Sequence, residues 1–430
     1  MGHVVNAERE YRLLQQQMDR NVNGVPESPV FLKILRLLYS PEEAAFARRL
    51  PIRPASLTDL SRRLDMPKEG LSDKLTDLAQ RGLVLDIEKH GERYYALPPV
   101  LGGLFEFVFM RARDNVPMAE LAGLFDEYMN RDEEFVRAQY QGETQFARSL
   151  VREEALPEGD HTEILDWERV SQLVDSASAL SVGLCPCRHK TGHLGTACGA
   201  PLRTCISLNG GAEAMIHGGI SQRITPGEAM RIFEECKAAG LAQTGDNVQR
   251  SVTFICNCRG CCCTLIQAVR TYQIRNGIVS SNWIQEVDPA RCKGCGACAK
   301  ACPMNAIAMV VDSGGERKGE LAGLDESLCL GCGVCCAVCK VGAIRMKARA
   351  RRVFTPETTF EKTVRMAIER GKLADLVFET PERLSHRALG RILSILEKSP
   401  PGKAAMAIKP LRSAFLNAML RRLKRHEAKV

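Results

Sequence analysis

The residues with the plainest chemistry are cysteines. Nine of the 19 fall in two runs, eight of them at matching positions, Cys292-Lys-Gly-Cys295-Gly-Ala-Cys298-Ala-Lys-Ala-Cys302-Pro303 and Cys329-Leu-Gly-Cys332-Gly-Val-Cys335-Cys336-Ala-Val-Cys339-Lys340. Each run reads C-x2-C-x2-C-x3-C, a spacing that lets a short backbone arc present thiolates to the corners of an iron–sulfur cubane. Gly294, Gly296, Gly331 and Gly333 fill the arcs, where a side chain would collide with the cluster or forbid a positive φ. Overlaid at an offset of 37 residues, 292–309 and 329–346 agree at 9 of 18 positions. The stretch is therefore an internal repeat, and the pairs Ala306-Ile307 and Ala343-Ile344 predict a strand that closes each half over its cluster. Cys336 lies opposite Ala299 in this overlay and is not expected to be a ligand.

The runs resemble those of bacterial two-cluster ferredoxins, in which the fourth cysteine of one run ligates the cluster held by the first three of the other. That resemblance implies one 4Fe–4S cluster on Cys292, Cys295, Cys298 and Cys339, and a second on Cys329, Cys332, Cys335 and Cys302. Cys332-x3-Cys336-x2-Cys339 also spells the three-cysteine signature of radical S-adenosylmethionine enzymes, but the repeat accounts for the same residues better.

A second cysteine field lies upstream. It comprises Cys185-Pro-Cys187-Arg-His189, then Cys198 and Cys205, then Cys256-Asn-Cys258-Arg-Gly-Cys261-Cys262-Cys263. Candidate ligands for a further site are Cys185, Cys187, Cys198, Cys205, Cys256, Cys258 and Cys261. A third iron–sulfur cluster, a zinc site, and buried or redox-active thiols without metal all fit these residues. Three adjacent cysteines at 261–263 cannot all face one cluster. Cys236, alone on an amphipathic helix, reads as a small core residue. His189 and His193 are further candidates, though loop histidines beside Arg188 and Lys190 more often face solvent.

The order of motifs, an N-terminal winged-helix pattern, Val182-Gly-Leu-Cys-Pro-Cys-Arg188, Ile255-Cys-Asn-Cys258 with a run of cysteines, then Val287-Asp-Pro and the two repeats, resembles a family of bacterial and archaeal 4Fe–4S dicluster proteins. The resemblance spans 28 to about 415. In that family a cysteine stands where this chain has Arg259. A proline commonly follows the fourth ligand, where this chain has Lys340.

The elements that must position these thiols read as an α+β, mostly helical, multi-domain chain of 430 residues. The expected order is an N-terminal extension (1–26), a winged helix-turn-helix (27–100), a helical linker domain (101–180), a cysteine-rich domain (181–284), a two-cluster ferredoxin module (285–347) and a basic helical C-terminal region (348–430). In the second of these, Ser56 caps one helix. Met66-Pro67 turns into a helix at 68–81, whose Leu71, Leu75 and Leu78 share a face. Two strands, 84–88 and 93–96, flank His90-Gly91 as a hairpin. Further helices are expected at 118–131 and 167–178, at 226–239 after Thr225 as cap and before Gly240 as stop, and at 360–370, 385–397 and 411–425.

Charge bears on partners. The net charge is +8, and residues 340–430 alone carry 22 Lys+Arg against 8 Asp+Glu, which leaves the preceding chain net acidic. Duplex binding needs cations on phosphate, yet residues 27–100 hold 12 Lys+Arg against 11 Asp+Glu. Glu69, Asp73 and Asp77 also sit on the helix that would enter the groove. Nucleic-acid binding is therefore disfavoured, and a scaffold or protein-contact role is preferred for this domain. The basic tail suits an acidic redox partner or peripheral contact with an anionic membrane. No apolar run approaches the roughly 20 residues of a membrane span, no signal peptide is legible, and so many cysteines in a long chain argue for metal in a reducing cytoplasm.

The chain has no dinucleotide-binding glycine motif, no P-loop and no nucleophile with its base. The expectation is an iron–sulfur electron carrier, or an oxidoreductase subunit of an anaerobic system, rather than a stand-alone enzyme. Two alternatives are an iron–sulfur-sensing winged-helix regulator and a reductase acting through the upstream cysteines.

Overall fold

The computed structural model describes residues 6–89, 91–156, 166–274, 277–311 and 319–377, and these form a mixture of helix and sheet. The first helix, Ala7–Asp19, buries Tyr11, Leu14 and Met18. The lead-in that follows belongs to the same body: Val25 is buried, and Gln139 donates to the carbonyls of Asn23 and Gly24 at 3.1 and 2.8 Å. Helices Pro29–Leu38 and Pro41–Ala47 come next, the latter opened by a full capping box between Ser40 and Glu43.

Ser56 accepts from the Asp59 N–H as expected and starts helix Leu57–Leu64, which ends at Asp65 in the left-handed region (φ 55°). Helix Lys68–Gln80 buries Leu71, Leu75, Leu78 and Ala79. Strands Leu85–Lys89 and Glu92–Ala96 pair antiparallel, and Ala55–Ser56 adds a short third strand beside Glu92–Ala96. The hairpin does not stand free. Leu85 and Ile87 pack on Phe107, Met110, Cys205, Ala214, Met215 and Ile220, and Asp86 pairs with Arg93 and, at 3.4 Å, with His217.

Residues 104–180 were expected to be helical. Helices Phe105–Phe109, Met118–Asp126, Glu133–Tyr140 and Val170–Asp175 are present, but Ala147–Ser149 is a strand. It pairs with Ala242–Asp246 at one edge of a six-stranded sheet, ordered 147–149, 242–246, 254–258, 203–208, 180–184 and 222–223. Three residues are too few to display the period-2 alternation by which a strand is read from sequence. Helix Pro226–Ala238 covers this sheet, with the Thr225–Glu228 capping box at its start. Its Ala229, Ile232, Phe233 and Cys236 join Val182, Ile206, Leu208 and Ile255 of the strands in one apolar cluster.

Two smaller antiparallel pairs follow, Trp283–Val287 with Ile344–Ala348 and Ile307–Val311 with Glu320–Leu324. Helix Thr359–Glu369 returns to the large sheet, where Lys362 forms a buried ion pair with Asp246. The helices expected at 385–397 and 411–425 lie outside the described residues. Among the described residues no helix is long and apolar enough to cross a membrane.

Candidate functional site

The two cysteine runs fold alike. Helices Ala297–Ala301 and Val334–Ala337 start from Gly296 (φ 69°) and Gly333 (φ 78°), and strands Ile307–Val311 and Ile344–Ala348 follow at the same 37-residue offset. The N–H of Ala306 donates to Cys302 Sγ at 3.2 Å, and its equivalent, Ala343, donates to Cys339 Sγ at 3.2 Å. Donors aimed at sulfur favour the thiolate form that iron requires. Gly294 and Gly331 also have positive φ, 69° and 67°. A side chain at either would strike protein rather than cofactor: Glu320 O at 2.6 Å from a Cβ on Gly294, and Trp283 O against one on Gly331. Their glycines thus reflect the approach of a neighbouring strand as well as the turn.

Cys302, Cys329, Cys332 and Cys335 line one cavity of about 20 Å³, together with Pro303, Met304, Leu330 and Met346. The Cys332 thiol is pushed up by burial, then by the neighbouring Cys335. Cys298 and Cys335 are buried in an apolar cluster with Ile307, Ala322 and Ile344, against which Cys302, Cys336 and Cys339 pack. Cys292 is half-buried, while Cys295 is exposed. Exposed Arg291, Lys293 and Lys300 lie near it in the chain, and Lys340, after the fourth cysteine of the other run, is exposed as well.

The upstream cysteines separate into two groups. Strand Leu180–Leu184 delivers Cys185, the residue that caps helix Pro186–His193, whose first residue is a proline with φ already suited to the helix. Strand Arg203–Leu208 carries Cys205. Strand Phe254–Cys258, paired with it and with Ala242–Asp246, carries Cys256 and Cys258 two residues apart, hence on one face. Cys262 and Cys263 both donate their N–H to Arg259 O, at 3.2 and 2.9 Å, and Cys263 caps helix Thr264–Thr271. The result is a cavity of about 60 Å³ lined by Cys185, Cys187, Cys205, Cys256, Cys258, Cys262 and Cys263.

The thiols of this cavity sit close enough to influence one another's ionisation in sequence, from Cys205 through Cys256, Cys258, Cys263 and Cys187 to Cys185. The Cys187 thiol is held well below the usual range because Cys185 and Cys263 donate to it, and the Thr264 N–H adds a third donor at 3.4 Å. Buried Arg188 bonds Thr204 Oγ1 and the carbonyls of Pro201 and Asn257, tying the cysteine strands together around a positive charge. Glu106 also lines the cavity. It accepts from the N–H groups of Gly102 and Gly103, and burial pushes its carboxyl up to about 8.

Cys198 and Cys261, two of the seven candidates, stand outside the cavity, grouped with Cys262. His189 and His193 lie on a helix rather than a loop. They contact each other, with Nε2 atoms 3.2 Å apart, and His189 Nδ1 meets Phe109 O at 2.8 Å, so neither lines the cavity. Cys262, Cys263 and Glu106 were not among the expected site residues. For Cys263 the available signal was the helix that begins at Thr264, which turns adjacent cysteines to different sides. For Glu106 there was none.

The two regions touch. Gly260 packs against the carbonyl of Pro303, leaving no room for a Cβ, and Arg270 Nη1 bonds Gly260 O and Pro303 O at 3.4 and 3.3 Å. Buried Cys258 and Cys263 share an apolar cluster with Met304, Ala306 and Leu330, and Cys187, Cys256, Cys302 and Cys329 pack on it.

A family model described as a 4Fe–4S dicluster domain matches residues 291–361. Comparison with curated proteins and with solved structures returns no match. The match supports a ferredoxin-type iron–sulfur domain at residues 291–361.

Proposed function

We propose that the protein is an electron carrier or oxidoreductase subunit with three iron–sulfur centres in series. Cys292, Cys295, Cys298 and Cys339 hold one 4Fe–4S cluster, and Cys329, Cys332, Cys335 and Cys302 hold the second. The third lies in the upstream cavity, with its ligands drawn from Cys185, Cys187, Cys205, Cys256, Cys258 and Cys263. When bound, each cluster supplies reversible one-electron storage. The protein's own residues hold the thiolates, donate N–H groups to sulfur and exclude water.

The observation that carries this reading is the contact between Gly260 and Pro303. It sets the upstream cysteine loop directly against the residue after Cys302, so the upstream cavity and the Cys302 cavity adjoin through packed protein. Electrons would leave past Cys295, exposed among basic residues that suit an acidic partner.

Residues 27–100 we read as a winged helix-turn-helix serving as scaffold. Glu69, Asp73 and Asp77 form an exposed acidic row on helix Lys68–Gln80, and the hairpin is covered by helix Asn209–His217. Lys74 sits over the Phe46 ring and Arg81 pairs with Glu43. These features disfavour a grip on duplex phosphates.

The test is iron and acid-labile sulfide per chain after anaerobic purification. About 12 iron atoms support three cubanes, about 8 remove the upstream cluster, and near zero overturns the whole reading.

A further inference from the structure

Cys198, Cys261 and Cys262 bring three sulfur atoms within 4.8 Å of one another. Among the described residues this is the one set of three or more Cys, His, Asp or Glu side chains that converges so tightly. Cys261 Sγ and Cys262 Sγ are 3.6 Å apart, and the Cys198 N–H donates to Cys262 Sγ at 3.4 Å. A tetrahedral thiolate site with metal–sulfur bonds of about 2.3 Å sets its sulfurs about 3.8 Å apart. A cubane instead spreads its thiolates over separate iron corners, and neither cysteine set of the two repeats converges within the tighter spacing.

The trio has an open side. Cys262 is buried and Cys198 half-buried, whereas Cys261 is exposed on the wall of a cleft of about 1560 Å³. Asn130, Gln267, Arg270, Asn305 and Asp325 line the same cleft. Gln267 holds the Cys261 carbonyl at 2.6 Å, and the helix that begins at Thr264 places its positive end beside Cys262. Three protein ligands with a solvent-facing fourth position are the arrangement of catalytic rather than structural zinc.

We infer that Cys198, Cys261 and Cys262 bind one thiophilic divalent ion of the zinc class, with its fourth position open to the cleft and available to an incoming small-molecule thiol. The trio shares Cys262 with the wall of the upstream cavity, while Cys198 and Cys261 stand outside it, and zinc binding here does not depend on the iron–sulfur reading above.

The test uses the full chain, purified anaerobically and supplied with zinc alone. Metal analysis is expected to give about one zinc per chain, and Cys261→Ser and Cys198→Ser each to lower zinc retention at least about ten-fold. Iron content should stay unchanged in both variants. Cys236→Ser, in the apolar cluster between helix Pro226–Ala238 and the sheet and outside the trio, should leave zinc in place. Zinc-edge X-ray absorption is expected to report three sulfurs and one light atom, becoming four sulfurs on addition of 2-mercaptoethanol. The inference is overturned if zinc retention is untouched by both substitutions, or if iron falls with them, which would make the trio cluster ligands. It is equally overturned by a disulfide in place of metal, or by four sulfurs before any thiol is added. Loss of iron from the wild-type chain with zinc retained would sink the proposed function and leave this site standing.

Discussion

At the scale of single residues, Cys335 and Cys336 are neighbours of the same type with different expected duties. Cys335 is buried on the cavity shared by Cys302, Cys329 and Cys332, while Cys336 packs on both sides of the strand pair, near Trp283 and Met346. Cys335→Ser should therefore remove about 4 of the roughly 8 iron atoms of the repeat domain, whereas Cys336→Ser should keep them all. Equal iron loss in the two variants would contradict the assignment. Gly331→Ala adds a Cβ against Trp283 O at φ 67°. Roughly 2 kcal/mol or more of lost stability is expected, seen as a lower urea midpoint with reduced iron retention. The ligand spacing and its repeat are what make these positions stand out in the sequence, and the two runs fold alike at the same offset. The upstream set was legible only in part: seven cysteines were candidates for one site, but Cys198 and Cys261 turn away from the cavity that Cys263 enters. Adjacent cysteines carry no sign of which way each will point until the bend at Arg259 and the following helix are known.

At the scale of elements, capped helices could be read closely and buried strands could not. Ser56, Thr225 and the leucines of Lys68–Gln80 each announced a helix that is present. The six-stranded sheet was not anticipated. Its member Ala242–Asp246 is buried along its whole length yet reads Ala-Gln-Thr-Gly-Asp, with no alternation and few residues of strand preference. What makes it tolerable inside is partnering: Asp246 accepts from Lys362 and from Thr253 Oγ1. Asp246→Ala would leave Lys362 buried without its counter-ion, so a loss of about 3–5 kcal/mol is expected, and Asp246→Leu with Lys362→Met should recover much of it. A double variant no more stable than the single one would show that the pair is not what holds helix Thr359–Glu369 to the sheet. Tyr39, closing helix Pro29–Leu38, donates to Leu83 O at 2.8 Å, and burial pushes its phenol above the ordinary range. The folded phenol stays neutral where the unfolded one ionises, so its contribution is complete below pH about 10 and is lost as pH rises toward the folded value. Tyr39→Phe should cost about 1 kcal/mol at pH 7. Above pH about 10 wild type alone loses up to about 1.4 kcal/mol per pH unit. The two denaturation midpoints should therefore converge and cross near pH 11, and a constant gap would count against this account.

At the scale of the whole molecule, the placement of charge decides which end of the proposed path meets a partner. The upstream cavity is lined by Phe105, Phe146 and strand residues, and on the proposed path it leads outward through Pro303 to the Cys302 cavity. Cys295 is exposed, beside Lys293 and with Arg291 reaching toward Gly342 near Lys340. Glu286 is engaged by Arg345 and Lys347, and Glu320, packed against Gly294, is the exposed carboxylate these lysines must outweigh. An acidic one-electron donor such as a small anionic flavoprotein should be steered to this face, with an association rate that falls as salt rises. Lys293→Glu combined with Lys340→Glu should slow reduction of the clusters by such a donor about ten-fold or more at low ionic strength. With both side chains exposed and neither ion-paired among the described residues, folding and iron content should be unaltered. Near 1 M salt, where the screening length shrinks to about 3 Å, the variant and wild type should reduce at the same rate. A difference that persists at high salt would mean the lysines act on the cluster rather than on the encounter. No difference at low salt would move the docking face away from Cys295.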